Sequence, residues 1–331
     1  MQTIIHIKNL VKEFEVVKKQ KGLAASFLSL FKREKIFVKA IKDISFDIKE
    51  GELVGFLGPN GAGKTTTLKI LSGIVYPTSG EVTTLGYIPS ERKEKFQKQF
   101  ALVMGQKNQL PRAMPAMDGF LLIKAIYEIP DAEFNATLEE LTELLDITSF
   151  LDIPVRKLSL GQRMKCELVA ALLHGPKVLL LDEPTIGLDV TAQKNIREFI
   201  KKYNREKKTT IILTSHYMDD IKELCERVII INHGEVVYDG KLALLMEKYA
   251  PHKTISITTS ISLHIEKLKS YGELIQNEEF AAVFKVARAD AKHLAARLIE
   301  SDLGVEDILI HEASIDDVVR HIFSQKSEAK I

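Results

Sequence analysis

The apolar positions of this chain change period several times along its length. Residues 1–14 alternate apolar and polar, as in Ile5-His6-Ile7-Lys8, and predict an edge strand. A second run over 37–48 predicts another strand, closed by Gly51. The short apolar segment 53–57 leads into a glycine-rich stretch, and 65–71 then reads as a helix. From about 110 to 157 the period becomes helical. Leu138, Leu141, Leu144 and Leu145 share one face, and Pro111, Pro115, Pro130 and Pro154 divide the segment. It reads as a helical insertion in an α/β core. Beyond it, 177–181 predicts a buried strand, Ile196, Phe199, Ile200 and Tyr203 a helix, 209–214 a strand and 218–225 a helix. The runs 228–231 and 235–238 flank Asn232-His233-Gly234, a hairpin turn. Apolar strands alternating with helices predict a parallel sheet covered on both faces.

Near Tyr249-Ala250-Pro251 the pattern shifts. Strand-like runs at 254–258, 281–287 and 307–310 interleave with helix-like runs at 261–269, 289–301 and 315–324. The expected organisation is a first domain over 1–245, with a helical subdomain at about 107–160, and a small α+β domain over 251–325. One stretch of the first domain stands apart. Lys18, Lys19, Lys21, Lys32, Arg33 and Lys35 surround Leu23, Phe27, Leu28, Leu30 and Phe31. That composition fits an extended hairpin loop or a basic amphipathic helix at a membrane surface or a membrane-bound partner.

Composition narrows the class. A length of 331 residues suits about two domains. With 45% apolar and 27% charged residues the chain is ordinary for a globular protein, which argues against disordered, collagen-like and coiled-coil classes. The charges balance, 46 basic against 45 acidic, and argue against a nucleic-acid partner. Cys166 and Cys225 lack metal-ligand spacing and fit a reducing compartment. No run of 18 apolar residues predicts a membrane span, and the N-terminus lacks the pattern of a secretory signal.

The chemistry concentrates in two places. Gly58-Pro59-Asn60-Gly61-Ala62-Gly63-Lys64-Thr65 fits G-x-x-x-x-G-K-[ST] between a strand and a helix. Its glycines let successive N–H groups face phosphate oxygens, and the helix that follows presents its positive end to them. Lys64 then reaches the outer phosphates and the Thr65 hydroxyl ligates Mg²⁺. Downstream, an apolar strand ends in Asp182-Glu183. Adjacent acids at a strand end point different ways, so Asp182 can hold Mg²⁺ while Glu183 acts as general base on water. Leu158-Ser159-Leu160-Gly161-Gln162 reads on physical grounds only as a helix N-terminus with Ser159 near the cap. The histidines His174 and His233 form no ligand spacing.

With these motifs in order, residues 3–245 resemble the ATP-binding subunits of ABC transporters. The segment 158–162 resembles the family signature Leu-Ser-Gly-Gly-Gln, with Leu160 in place of the first glycine. The resemblance implies a P-loop NTPase core with an antiparallel β subdomain and a helical insertion, plus the small C-terminal α+β domain. It implies ATP and Mg²⁺ as ligands, with ATP bound by Gly58 to Thr66 of one chain and by Ser159, Gly161 and Gln162 of a second chain in a head-to-tail homodimer. Gln106 is similar to the glutamine linking Mg²⁺ and water to the helical subdomain. Gly187-Leu188-Asp189 is similar to the loop that crosses the dimer interface, with Asp189 near nucleotide. His216 resembles the switch histidine and Phe14 the aromatic that stacks on adenine, with Phe37 as its rival. Gly105-Gln106-Lys107-Asn108-Gln109-Leu110 and the segment 312–319 resemble a branch with separate permeases of the ABC-2 type, mostly exporters. The implied place is the cytoplasmic face of the cell membrane, peripheral to a permease. Two other readings fit the sequence less well. Soluble family members in translation carry tandem ATPase units and those in DNA repair carry long coiled coils, neither of which is seen here. A non-hydrolysing module is opposed by the intact Glu183 and His216.

Overall fold

The computed structural model describes residues 2–17, 35–250, 252–312 and 315–325. The basic stretch at 18–34 lies outside the described residues, as do Ala313 and Ser314. The chain divides into two compact units, Met1–Gly240 and Lys241–Ile331.

The first unit holds β1 (Thr3–Val17), β2 (Lys35–Lys49), β3 (Leu53–Leu57), β4 (Ser79–Thr84), β5 (Phe100–Met104), β6 (Val178–Asp182), β7 (Thr210–Thr214), β8 (Arg227–Asn232) and β9 (Glu235–Lys241). They form one sheet in the order β4-β1-β2-β9-β8-β3-β7-β6-β5. The strands β8, β3, β7, β6 and β5 pair in parallel. Every residue of β6 and β7 is buried, as expected for apolar strands covered on both faces. The β1–β2 and β1–β4 pairs are antiparallel. Here burial alternates: Ile44, Phe46 and Ile48 face inward while Asp43, Ser45 and Asp47 face out. Both kinds of strand share one core, in which Ile5, Ile44 and Phe46 pack with Phe56, Leu180 and Ile229.

One expectation needs correction. β1 is an interior strand, because β4 pairs along its outer side. β4 was not anticipated because its sequence, Ser79-Gly80-Glu81-Val82-Thr83-Thr84, buries only Val82 and Thr84 and carries almost no apolar signal. The boundary between the two compact units falls between Gly240 and Lys241. The helix Leu242–Tyr249 buries Leu242 and Leu245 and contacts the helix Ile315–Gln325 of the second unit.

The helical segment contains the helices Ala116–Tyr127 and Asp131–Leu145. The second buries Phe134, Leu141 and Leu145 at helical spacing. In the second unit, β10 (His252–Thr259), β11 (Glu273–Asn277), β12 (Ala281–Ala287) and β13 (Val305–Glu312) form an antiparallel sheet in the order β11-β12-β10-β13. The helix Ala291–Ile299 covers one face, setting Leu294 and Leu298 against Ile255, Ile257 and Phe284.

Both cysteines are free and buried. Burial pushes the Cys166 thiol up to about 12 and the Cys225 thiol up as well. The thiolate is the reactive form. Iodoacetamide at pH 8 is therefore expected to label neither cysteine in the native protein and both after unfolding, as read by mass spectrometry.

Candidate phosphate-binding and hydrolytic site

The strands β3, β5, β6 and β7 run in parallel, so their C-terminal ends meet at one edge of the sheet, the usual place for a ligand in an open α/β sheet. The loop after β3 turns through Gly61 and Gly63, both at positive φ (80° and 108°). A Cβ on Gly63 would lie 2.7 Å from the Ala40 carbonyl oxygen, so only glycine lets the loop lie against β2. The helix Lys64–Leu71 starts here with no side-chain cap and no acidic residue in its first turn. Its first amides and its positive end are open to an anion. Lys64 is buried, and its Nζ donates to the carbonyls of Gly58 (2.6 Å) and Pro59 (3.2 Å). Burial holds its ammonium below the usual lysine range, while Glu183 and Asp182 pull the other way. A cleft of about 220 Å³ opens over the loop, lined by Ala40, Asn60, Gly61, Lys64, Thr66 and Glu183 among others.

The two acids after β6 are partnered differently. Asp182 accepts from the Thr65 hydroxyl at 2.8 Å on one oxygen and from the Thr214 hydroxyl at 2.7 Å on the other. Glu183 leaves the strand with φ of 56°, and its amide donates to the Thr214 carbonyl (3.0 Å) and hydroxyl (3.1 Å). Its carboxylate turns to His216 Nε2 at 2.8 Å and accepts from Gln106 Nε2 at 3.5 Å. Gly105, just before that glutamine, donates its amide to the Asp182 carbonyl at 2.8 Å, and a Cβ there would collide with the Glu183 carbonyl. Lys64, Thr65, Gln106, Asp182, Glu183 and His216 thus come together at one end of the sheet. The hydroxyl and carboxylate of Thr65 and Asp182 are hard oxygen donors of the kind Mg²⁺ takes. Among the described residues no group of three His, Cys, Asp or Glu could hold a metal alone. A cation at Asp182 therefore needs further oxygens from phosphate or water.

The remaining predicted residues gather elsewhere. Ser159 and Gln162 form a capping box at the start of the helix Leu160–Leu172, with amide-to-side-chain bonds of 3.2 and 2.9 Å. Asp189 caps the helix Val190–Lys207, accepting the Ala192 amide at 2.9 Å. A Cβ on Gly161 would meet Ala192 Cβ at 3.1 Å, and one on Gly187 would meet Leu160 Cδ2 at 3.1 Å. The signature segment and the 187–189 loop therefore pack on each other, and none of these residues lines the cleft over the phosphate loop. Phe14 sits opposite Val38 and Phe37 opposite Glu15, so the two rings point to opposite faces of the β1–β2 ladder. Both are exposed, and Lys12 lies over the Phe14 ring at 4.8 Å.

Sequence reasoning missed several groups. Thr214 bridges both acids. Asp220, fully buried, accepts from Thr185 Oγ1 (2.5 Å), Ser215 Oγ (2.6 Å) and Arg197 Nη1 (3.1 Å). Glu167, on the helix that begins at the signature, accepts the amides of Gln109 (3.0 Å) and Leu110 (3.3 Å), downstream of Gln106. Burial raises its pKa and those two amides pull it back. The one available signal was an acid inside the apolar run Cys166–Leu173, which no amphipathic pattern accounts for.

Comparison with known proteins agrees with this geometry. Residues 41–186 match the family described as "ABC transporter", and residues 251–311 match the "EvrA-like ABC transporter, C-terminal domain". The chain is similar to the ABC transporter ATP-binding protein NatA of Bacillus subtilis, 36% identical over 66% of this chain and 88% of that protein. The uncharacterized ABC transporter ATP-binding protein YdbJ of the same organism is 31% identical over 84% of this chain and 88% of its own length. Among solved structures, a dimeric ATP-binding cassette in a post-hydrolysis state with ADP and Pi covers 72% of this chain and 98% of its own, at 26% identity and a TM-score of 0.59.

Thr214→Val removes a donor from Asp182 at little change in shape. Leaving that buried oxygen unpaired is expected to cost about 1–3 kcal/mol, read from urea unfolding.

Proposed function

This chain belongs to the ATP-binding subunits of ABC transporters, a family of ATP hydrolases, and from that premise we propose how its two residue groups act. The observation that carries the reading is the separation between them: the signature residues are absent from the lining of the phosphate-loop cleft. A complete site then needs a second copy. In a head-to-tail homodimer the loop Gly58 to Thr66 of one protomer binds the triphosphate, and Ser159, Gly161 and Gln162 of its partner close over it, with Asp189 at the crossing. The position of Ser159 supports this, since it is exposed at the start of its helix, whose positive end favours an anion.

Within one protomer, Lys64 exchanges its bonds to Gly58 and Pro59 for phosphate oxygens. Thr65, Asp182 and Gln106 hold Mg²⁺, which neutralises phosphate charge when bound. Glu183 accepts the proton of the attacking water, and His216, 2.8 Å from it, senses the γ-phosphate. Phe14 stacks on adenine. Binding closes the dimer, and cleavage removes the bridging phosphate and opens it. Gln106 and the helices 116–145 carry that motion to a separate integral-membrane permease of the ABC-2 type, driving export at the cytoplasmic face of the membrane. No described helix is long and apolar enough to cross a membrane. Similarity to the linearmycin resistance ATP-binding protein LnrL of Bacillus subtilis, 34% identical over 66% of this chain and 70% of that one, supports the export reading.

Glu183→Gln keeps shape and loses the base. Turnover is expected to fall by about 10²–10⁴-fold with ATP affinity retained, and the closed dimer to accumulate in size-exclusion chromatography with ATP and Mg²⁺. A variant that still hydrolyses at the parental rate removes Glu183 as the base. Removing residues 251–331 is expected to leave ATP binding intact, as read by fluorescence of a labelled nucleotide. The second unit then serves dimer contact or regulation.

A further inference from the structure

Three segments carry the proposed hydrolytic residues or lead to them, and all three converge on one carboxylate that neither the sequence motifs nor the family match singles out. Asp220 lies in the first turn of the helix Met218–Leu224 and is fully buried. Its Oδ2 accepts from Thr185 at 2.5 Å and from Ser215 at 2.6 Å. Its Oδ1 accepts from Arg197 at 3.1 Å, and the guanidinium also reaches Glu223 at 3.0 Å. Thr185 belongs to the turn that starts at Glu183, where the Glu183 carbonyl accepts from Ile186 and the Thr185 carbonyl from Leu188. Ser215 immediately precedes His216, and its hydroxyl accepts the Tyr217 amide at 3.0 Å. Arg197 stands on the helix capped by Asp189.

We propose that Asp220 is a positioning residue for ATP hydrolysis, setting Glu183 against His216 by anchoring the turn of one and the loop of the other on a single carboxylate oxygen. This rests on the roles given to Glu183 and His216 above. Glu183 sits at a φ of 56°, a conformation that side chains with a Cβ disfavour and that persists where the surroundings over-determine it. Thr185 supplies such a restraint two residues later. The His216 side chain is 39% exposed, so packing alone does not hold its ring. Its place follows from the loop, and the loop is tied through Ser215. Because both hydroxyls meet at Oδ2, a displacement of either shifts the carboxylate that holds the other. Arg197 balances the buried charge and brings the Asp189 helix into the same network. The alternative is an ion pair that only stabilises the fold.

The test uses Thr185→Val and Ser215→Ala in the full-length chain, since both leave the Arg197–Asp220 pair in place. Each is expected to lower kcat for ATP by about tenfold with KM for ATP little changed, and to lower the thermal midpoint by no more than the few degrees that one lost bond to a buried carboxylate brings, so kcat is read where both variants remain folded. Thr185→Ser, which restores the hydroxyl, should return kcat to the parental value. Hydrogen exchange gives a readout that does not require turnover: Thr185→Val should speed amide exchange in 215–217, and Ser215→Ala in 183–188. Parental kcat in both variants, or exchange that rises only in the loop bearing the substitution, overturns the proposal. So does a fall in kcat that tracks a fallen midpoint and is not rescued by Thr185→Ser. A parental chain without ATPase activity, or a Glu183→Gln variant as fast as the parent, overturns instead the role given to Glu183, and the exchange experiment still decides whether Asp220 couples the loops.

Discussion

Asp182 ends a strand buried on both faces, and almost every group it has is already in use. One side-chain oxygen holds Thr65 at the head of the phosphate-loop helix, the other holds Thr214 at the end of β7, and its carbonyl accepts Gly105 at the end of β5. Three strand ends and a helix start are thereby keyed to a single residue. The parallel register puts Met104, Asp182 and Thr214 side by side, so these bonds need no long reach. A site built on strand ends braced in this way holds its geometry better than one carried on free loops.

The next residue shows how sharply one peptide step can change a side chain's work. Asp182 remains in strand geometry and points at the hydroxyl of Thr65. Glu183 turns through positive φ and points at His216 and Gln106. The same turn leaves no space for a side chain at position 105, which is why glycine precedes Gln106. At the other cluster, Leu160 stands where relatives of the signature usually carry glycine. It fills the space beside Gly187, an apolar contact that couples the signature segment to the loop leading to Asp189.

Much of this was legible in the chain. The phosphate loop announced itself because its glycines, lysine and threonine must be local to one turn. The buried strands β6 and β7 were legible because apolar runs of about five residues leave few alternatives. The polar β4, the half-buried β5 and the largely exposed β11 were not, since their pairing is decided by neighbours far along the chain. The same limit hid Asp220 and Glu167. Thr185 and Arg197 approach Asp220 from 35 and 23 positions away, and the amides held by Glu167 lie more than fifty residues upstream. An acid in a helix's first turn reads as ordinary capping until its partners are in place.

Lys64 has a consequence for the tempo of encounter. By donating to Gly58 and Pro59 it laces the loop into a closed ring of its own making. The conformational freedom of those residues is given up on folding, not when a ligand arrives. An incoming triphosphate meets a cradle that is already shaped, and its oxygens only have to replace the two carbonyls as acceptors of the lysine. Preorganisation of this kind lowers the entropic cost of association and shifts discrimination among ligands towards how slowly they leave.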